Sequence, residues 1–318
     1  MSGAQSLSNG ENMKDVAFIF PGQGSQYVGM GREIYRISPQ AKSIFDKADK
    51  ILGFSLTKLC FDGPQEELKA TINCQPAIFT LSIASLEAFK SNPKSKNLKP
   101  KFTAGLSLGE YSALVASGVF SFEDGLKIVR QRAEYMEEDA KSTPGKMAAV
   151  LGMDVNKVKE ICKDCATYVA NLNCPGQIVV SGKSADIDKT VEAVKTQGFK
   201  AVVLEVSGAF HSYYMNPAGK KLSALLDKVK INLPQVPVVS NVTAKPEATV
   251  DEIKANLVRQ VSSSVLWEES ARYMAAQGIR EFLEIGPGQV LKGMLKRIDP
   301  NLKVYNLEKP QDIENLAV

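Results

Sequence analysis

The chain is 318 residues long, and 44% of its residues are hydrophobic and 23% charged, which is enough for one large α/β domain or for two domains. Its 39 Lys and Arg against 35 Asp and Glu leave a net charge of +4, too small a surplus for a dedicated nucleic-acid-binding protein. No apolar run reaches the roughly 18 residues of a membrane-spanning helix. We therefore expect neither nucleic acid nor membrane as a partner.

The first 142 residues alternate short apolar runs with helical periodicity. A polar leader over residues 1–14 is predicted to be disordered. The elements predicted after it are a buried strand at 16–20, helical spacing over 31–51, a mostly buried helix over 76–91, a polar loop over 91–101, a strand at 102–105 and helices over 108–117 and 124–140. This alternation favours the α/β class with a largely parallel sheet.

The middle of the chain follows a different pattern. Its predicted elements are a strand at 147–152, a helix at 155–165, strands at 168–172 and 177–181, a helix at 185–197 and a strand at 199–206. The order β-α-β-β-α-β is that of the ferredoxin-like split βαβ unit. We predict a small ferredoxin-like domain over residues 143–207, inserted into a large α/β-hydrolase-like domain formed by residues 15–142 and 208–318. Sheet strands return at 237–240 and 282–285.

The five cysteines give no metal or disulfide signal. They are an odd number in a long chain without a secretory signal, which argues against a disulfide framework. Cys162 and Cys165 form a lone CxxC without a second pair or a nearby histidine, and two helical thiols are the simpler interpretation. No metal is therefore predicted.

The strongest local motif is G-x-S-x-G, formed by residues 105–109 between a predicted strand and a predicted helix. In a nucleophile elbow this turn exposes the Ser107 hydroxyl above the sheet and directs the N–H of Leu108 toward a developing oxyanion. The alternative is an ordinary glycine-rich turn with a capping serine.

A serine nucleophile requires a base, and His211 is the only histidine of the chain. It follows the predicted inserted domain, at a seam where clefts form, and the order Ser before His agrees with α/β-hydrolase-like enzymes. A lone polar histidine in a loop is the alternative. The segment PGQGSQ after the first strand lacks the third glycine of a dinucleotide fingerprint. It is interpreted as a tight turn or as the source of a second backbone N–H donor.

Several motifs occur together in one order: PGQGSQ, GLSLGEYSAL, the Arg132 of RQRAEYM, GAFHS, VSNVTA and GPG at residues 286–288. In this combination the chain resembles the malonyl-CoA:acyl-carrier-protein transacylase family of fatty-acid synthesis, from about Val16 to Arg297. The resemblance implies ping-pong transfer of a malonyl group from malonyl-CoA, through a malonyl-serine, to the phosphopantetheine thiol of an acidic acyl carrier protein. It implies no cofactor, and monomers are usual in the family.

The resemblance also implies a role for each site residue. Ser107 is acylated with His211 as its general base, and the oxyanion is bound by the backbone N–H groups of Gln23 and Leu108. The carbonyl of Gln260 orients the histidine in place of an acidic third member. Arg132 holds the malonyl carboxylate through a bidentate pair, although a surface arginine on a charged helix is the alternative. Phe210 matches the malonyl-selective form of its motif in related polyketide acyltransferases, where its bulk disfavours an α-methyl branch.

One position departs from the usual family motif, which has a histidine before the nucleophile where this chain has Leu106. Leucine here is known from plastid-type and some cyanobacterial-type members. Two locations stay open, a bacterial cytoplasm or a plastid-type stroma, with no transit peptide in this chain. Three functional alternatives also stay open: a serine thioesterase or esterase that uses the same Ser-His pair, an acyltransferase for polyketide synthesis, and a non-catalytic scaffold that binds a carrier protein.

Overall fold

A computed structural model describes residues 14–316, so the predicted leader lies outside the described residues except for Lys14, which begins the first strand. The larger sheet has five parallel strands in the order β7-β2-β1-β8-β9. Their bounds are β1 (Lys14–Phe20), β2 (Leu98–Gly105), β7 (Val238–Val239), β8 (Glu281–Ile285) and β9 (Lys303–Leu307). The predicted α/β class with a parallel sheet is confirmed. The central strand β1 is an apolar run because helices cover both faces of the sheet.

The helices among the described residues surround the two sheets. In chain order they are α1 (Arg32–Ile37), α2 (Pro39–Leu52), α3 (Leu56–Asp62), α4 (Gln65–Lys69), α5 (Thr71–Lys90), α6 (Gly109–Ala116), α7 (Phe122–Ser142), α8 (Val155–Asp164), α9 (Ser184–Thr196), α10 (Asn216–Leu226), α11 (Val250–Gln260), α12 (Trp267–Ala276), α13 (Val290–Ile298) and α14 (Pro310–Glu314). Short 3-10 helices cover Pro93–Asn97 and Tyr213–Met215.

The smaller sheet is antiparallel, with strands β3 (Gly145–Leu151), β4 (Tyr168–Cys174), β5 (Gln177–Lys183) and β6 (Lys200–Val203) in the order β4-β5-β3-β6. The two faces of strand β3 pack into two different hydrophobic cores, because successive side chains of a strand point to opposite faces. Ala148 and Val150 pack into an apolar cluster with residues of α8 and α9, whereas Met147 and Ala149 join the core of the larger unit. The smaller sheet thus rests on the larger unit through one face.

Several elements differ from their predicted bounds. The helical spacing over 31–51 is two helices, because Ser38 is extended and caps α2, with Pro39 at its first position. The predicted loop over 91–101 contains a 3-10 helix, and β2 already begins at Leu98. The strand predicted to continue to residue 206 ends at Val203.

The helix α5 begins five residues before its predicted start at Pro76, and the reason lies in its neighbour α7. A proline within a helix removes the N–H that would bond the carbonyl four residues earlier, here that of Ile72. The guanidinium of Arg130 donates to this carbonyl over 2.9 Å. Because that carbonyl is satisfied, the helix continues through the proline and places Gln75 beside the cleft.

Candidate active site

Ser107 stands in the sharp turn between β2 and α6, and the two flanking glycines are required by close backbone contacts. A Cβ on Gly105 would lie 2.0 Å from the carbonyl carbon of Gly109, and a Cβ on Gly109 would lie 2.1 Å from the carbonyl oxygen of Phe20. Ser107 itself adopts a left-handed backbone with φ of 53°. The motif is therefore a strained strand-to-helix elbow rather than an ordinary turn.

The hydroxyl of Ser107 and the imidazole of His211 are in hydrogen-bond contact, with 2.8 Å between Oγ and Nε2. The other ring nitrogen, Nδ1, lies 2.8 Å from the carbonyl oxygen of Gln260. A carbonyl only accepts, so Nδ1 carries the proton and Nε2 is free to accept from the serine. Burial, followed by the positive charge of Arg132, lowers the pKa of His211 to about 4. The histidine is therefore neutral near pH 7, as a general base must be.

Arg132 is buried at the floor of the same cleft, with 1% of its surface exposed. Its Nη1 donates to Oε1 of Gln75 over 2.6 Å, and its Nη2 donates to Oε1 of Gln260 over 2.9 Å and to Oγ of Ser107 over 3.1 Å. Both amide partners are neutral, and within residues 14–316 no carboxylate oxygen lies within 4.0 Å of its nitrogens. The nearest acidic group, Glu110, reaches Arg132 only through the side chain of Gln260, so the guanidinium keeps the capacity to bind an anionic group directly.

The side chain of Gln260 connects the residues on the floor of the cleft. Its amide nitrogen donates to the carbonyl of Ser107 over 2.9 Å and to the carboxyl group of Glu110. Because these two acceptors bind the nitrogen, the amide oxygen is directed toward Arg132. Glu110 is fully buried, and burial raises the pKa of its carboxyl group. The same glutamine thus contacts His211 through its backbone and Arg132 through its side chain.

The backbone N–H groups of Leu108 and Gln23 both border the cleft. Neither has a hydrogen-bond acceptor among residues 14–316. An oxyanion hole requires free backbone donors of this kind beside the nucleophile. The cleft has a volume of about 420 Å³ and lies between the two sheets, and its lining includes Leu106, Met136 and the buried ring of Phe210.

All seven residues predicted from the sequence line this cleft or directly support it, and three residues that the sequence did not single out join them. Gln75 binds Arg132, Glu110 binds Gln260, and Asn241 binds the backbone of the elbow. Glu110 and Asn241 belong to the motifs GLSLGEYSAL and VSNVTA, which is the signal that points to them. Gln75 carries no such signal, since it reaches the site only because α5 crosses behind α7.

The described residues can be assessed for clusters of metal-binding side chains and for helices that could span a membrane. Within the part of the chain that the structure describes, no three His, Cys, Asp or Glu side chains come together as a metal site. No helix between residues 14 and 316 is long and apolar enough to cross a membrane.

Known proteins resemble this chain over almost its whole length. Residues 17–304 match a family model described as the acyl transferase domain. The chain is 46% identical over 308 residues to the malonyl CoA-acyl carrier protein transacylase of Bacillus subtilis strain 168, covering 95% of this chain and 96% of that protein. The structure of the transacylase of that name from Coxiella burnetii superposes with a TM-score of 0.90 at 35% identity, covering 95% and 96% of the two chains. A malonyl-transacylase in complex with its type II PKS acyl-carrier protein has the same TM-score and identity, covering 95% of this chain and 98% of that one.

Proposed function

The chain belongs to the acyl transferase domain family, and we propose that it transfers the malonyl group of malonyl-CoA to the phosphopantetheine thiol of an acyl carrier protein. The transfer supplies fatty-acid elongation. One observation carries the proposal: the guanidinium of Arg132 is buried, has no carboxylate partner among residues 14–316, and lies 3.1 Å from the Ser107 hydroxyl. A site that holds an unpaired cation beside a nucleophile suits an acyl group with a free carboxylate.

The two half-reactions use the same serine and histidine. Oγ of Ser107 attacks the thioester carbonyl carbon while Nε2 of His211 takes the hydroxyl proton. The carbon–sulfur bond then breaks, and His211 returns the proton to the departing CoA thiolate. In the second half, His211 takes the proton of the carrier thiol, whose sulfur attacks the malonyl-serine ester. The bond between the carbonyl carbon and Oγ then breaks, and His211 returns the proton to Oγ of Ser107. The carbonyl of Gln260 holds the imidazole through Nδ1, so no acidic third member is needed.

Charge and shape select the acyl group. In both half-reactions the N–H groups of Gln23 and Leu108 stabilise the tetrahedral oxyanion. Arg132 pairs with the malonyl carboxylate, which exchanges the neutral amide contacts of the free enzyme for a charge-assisted bidentate contact. Phe210 fills the space beside the acyl group and disfavours an α-methyl branch. An acetyl group offers no partner for Arg132, so malonyl is selected by its charge.

Intact-mass measurement after incubation with malonyl-CoA tests this function. We expect an adduct of one malonyl group that persists in the native protein and is absent in Ser107→Ala. In His211→Ala the adduct should form about 10²–10⁴-fold more slowly, because the chain has no second imidazole. Subsequent addition of phosphopantetheinylated carrier protein should remove the adduct and acylate the carrier.

The same experiment separates the alternatives. Rapid release of free malonate without carrier would identify a thioesterase, and neither adduct nor turnover would identify a non-catalytic scaffold. Polyketide synthesis is the second candidate pathway, because a similar solved structure is a malonyl-transacylase bound to a type II PKS acyl-carrier protein. Transfer to carriers of both pathways, measured side by side, distinguishes them.

The domain organisation belongs to the same proposal. We assign residues 143–207 to a ferredoxin-like unit inserted between the halves, 15–142 and 208–318, of an α/β-hydrolase-like unit. The strand order β4-β5-β3-β6 with two helices on one face supports it. The monomeric state and the absence of a cofactor stay predictions. We favour a bacterial cytoplasm over a plastid-type stroma because similar proteins come from Bacillus subtilis and Coxiella burnetii.

A further inference from the structure

The turn that carries the nucleophile is strained, and something must hold it. Ser107 has a φ of 53°, a left-handed conformation that side-chain-bearing residues adopt at a cost in free energy. Such a conformation persists only where surrounding contacts determine it. Because Ser107 lies at the end of β2, before the first turn of α6, neither element imposes this backbone angle by itself.

The side chain of Asn241 holds the elbow on both sides of its bend. Oδ1 of Asn241 accepts the backbone N–H of Ser107, and Nδ2 donates to the carbonyl of Gly105, each over 2.6 Å. The partners determine the amide orientation, since a backbone N–H only donates and a carbonyl only accepts. A planar amide fixes the separation of its donor and acceptor, so the two contacts together set the distance across Leu106.

Asn241 is itself held rigidly. It is fully buried just after β7, which pairs with β2 in the sheet. Its backbone N–H donates to Oε1 of Glu110 over 3.3 Å, and its carbonyl accepts from the N–H of Leu266 over 2.8 Å. All four polar groups of the asparagine are therefore used, and two of them bind the elbow.

The contact with Ser107 has a consequence for the oxyanion. Because Asn241 occupies the N–H of Ser107, the elbow offers the substrate the next free donor, the N–H of Leu108. The two N–H groups point in different directions in a tight turn. In this arrangement the N–H of Ser107 holds the structure of the turn, and the N–H of Leu108 stays available for the oxyanion.

We propose that Asn241 is a positioning residue for the nucleophile, and that its bidentate contact with the elbow aligns Oγ of Ser107 with His211 and Leu108. The inference rests on the proposed role of Ser107 but not on the identity of the acyl group. It assigns a function to the motif VSNVTA that the reaction scheme itself leaves unused.

The test measures the reactivity of Ser107 with phenylmethanesulfonyl fluoride, which needs no malonyl recognition. The Oγ–S bond forms, the S–F bond breaks, fluoride leaves and the proton goes to His211. Intact mass then gives the rate for the native protein, Asn241→Ala and Asn241→Asp. The Asp variant keeps an acceptor for the Ser107 N–H but replaces the donor to Gly105 with a second carboxyl oxygen in a buried site, and circular dichroism checks that each variant folds.

Thr103→Val is the matched control. Thr103 is buried on the same strand β2 and bonds Ser117 and the carbonyl of Ala113, so its loss weakens the strand–helix packing without touching the elbow. We expect Asn241→Ala to react about 10- to 100-fold more slowly, because small misalignments of reacting groups have such effects. Asn241→Asp should lose less, and Thr103→Val should stay within about twofold of native.

A second readout separates positioning from folding. Asn241→Ala should lower kcat for malonyl transfer while KM for malonyl-CoA changes little, because Arg132 is not among the contacts of Asn241. Folded Asn241 variants that react at the native rate would overturn the inference and leave the proposed function intact. Normal sulfonylation of native Ser107 without malonyl transfer would instead overturn the proposed function. A native Ser107 that does not react at all would contradict both.

Discussion

The floor and the rim of the cleft use similar hydrogen bonds with very different consequences. On the floor, Arg132, His211 and Gln260 are at most 5% exposed, and their hydrogen bonds with one another and with Ser107 are 2.8–3.1 Å long. At the rim, Lys69 and Glu205 form an ion pair of 2.7 Å, but their side chains are 33% and 81% exposed. The cost of losing one of these contacts therefore depends on how deeply its groups are buried rather than on how short the contact is. An exposed pair exchanges its partner for water almost freely, whereas a buried polar group has no such substitute.

The two regions also differ in how they are connected to the fold. The floor is assembled from the ends of β2 and α11, the middle of α7 and the segment after β6. The rim pair joins α4 to the segment that follows the smaller sheet. It therefore spans the two units and can open without disturbing the core.

The largest effect should come from the floor, through Arg132→Ala. Loss of a buried charged contact to the substrate costs about 2–5 kcal/mol, or about 30-fold to several thousandfold in rate at 1.36 kcal/mol per tenfold. We expect the ratio of kcat/KM for malonyl-CoA to that for acetyl-CoA to fall by this factor. Arg272→Ala, which removes an exposed guanidinium paired with Glu268, is the control and should leave the ratio unchanged. An unchanged ratio in Arg132→Ala would refute the carboxylate-binding role.

The second largest effect should come from protonation of His211 on the floor of the cleft. Since burial and Arg132 lower the pKa of His211 to about 4, the imidazole keeps its free lone pair down to mildly acidic pH. The value of kcat/KM for Ser107 acylation, which reports the free enzyme, should lose nothing to protonation of His211 between about pH 8 and 5. It should halve near pH 4 and fall about tenfold for each further pH unit. Circular dichroism at each pH checks that the fold persists. A midpoint near the ordinary value of 6.5 would contradict the buried, neutral histidine.

The smallest effect should come from the rim, through Glu205→Gln. This change removes the charge that pairs with Lys69 and keeps the shape of the side chain. We expect kcat/KM to change by less than about threefold at physiological salt, and by less still in high salt, because an exposed pair is screened. The salt series is the measurement. A change comparable to that of Arg132→Ala would mean that the rim pair controls access to the floor.

Local sequence was sufficient for those parts of the protein that are encoded by neighbouring residues. The elbow could be predicted because glycines at 105 and 109 and a serine between them describe one turn. The predicted order of strands and helices through residue 206 matches the structure apart from shifted bounds, the division of one helix and the two short helices α3 and α4, which were not predicted. The start of helix α5 was predicted at Pro76, five residues too late. The carbonyl of Ile72, which the proline leaves without its helical partner, accepts instead from Arg130, a residue distant in sequence.

The strand β9, the helices α3 and α4 and the helices from α10 to α14 received no prediction. The supporting residues of the site were also missed. Gln75, Glu110 and Asn241 come from three separate elements, and each acts through a partner between 57 and 150 residues away. No spacing rule within the chain encodes such pairs.

The amino-acid sequence is enough to identify the reacting groups: one nucleophile elbow, one imidazole and one arginine in a motif, all in an order typical of the family. The packing of distant segments buries the arginine without a directly bound carboxylate, keeps the histidine neutral and brings the Asn241 amide, which follows β7, against the strained serine. The physical reason is that burial and long-range hydrogen bonds depend on how distant segments pack. Residue types specify which groups are available, and packing determines their charge, orientation and strength.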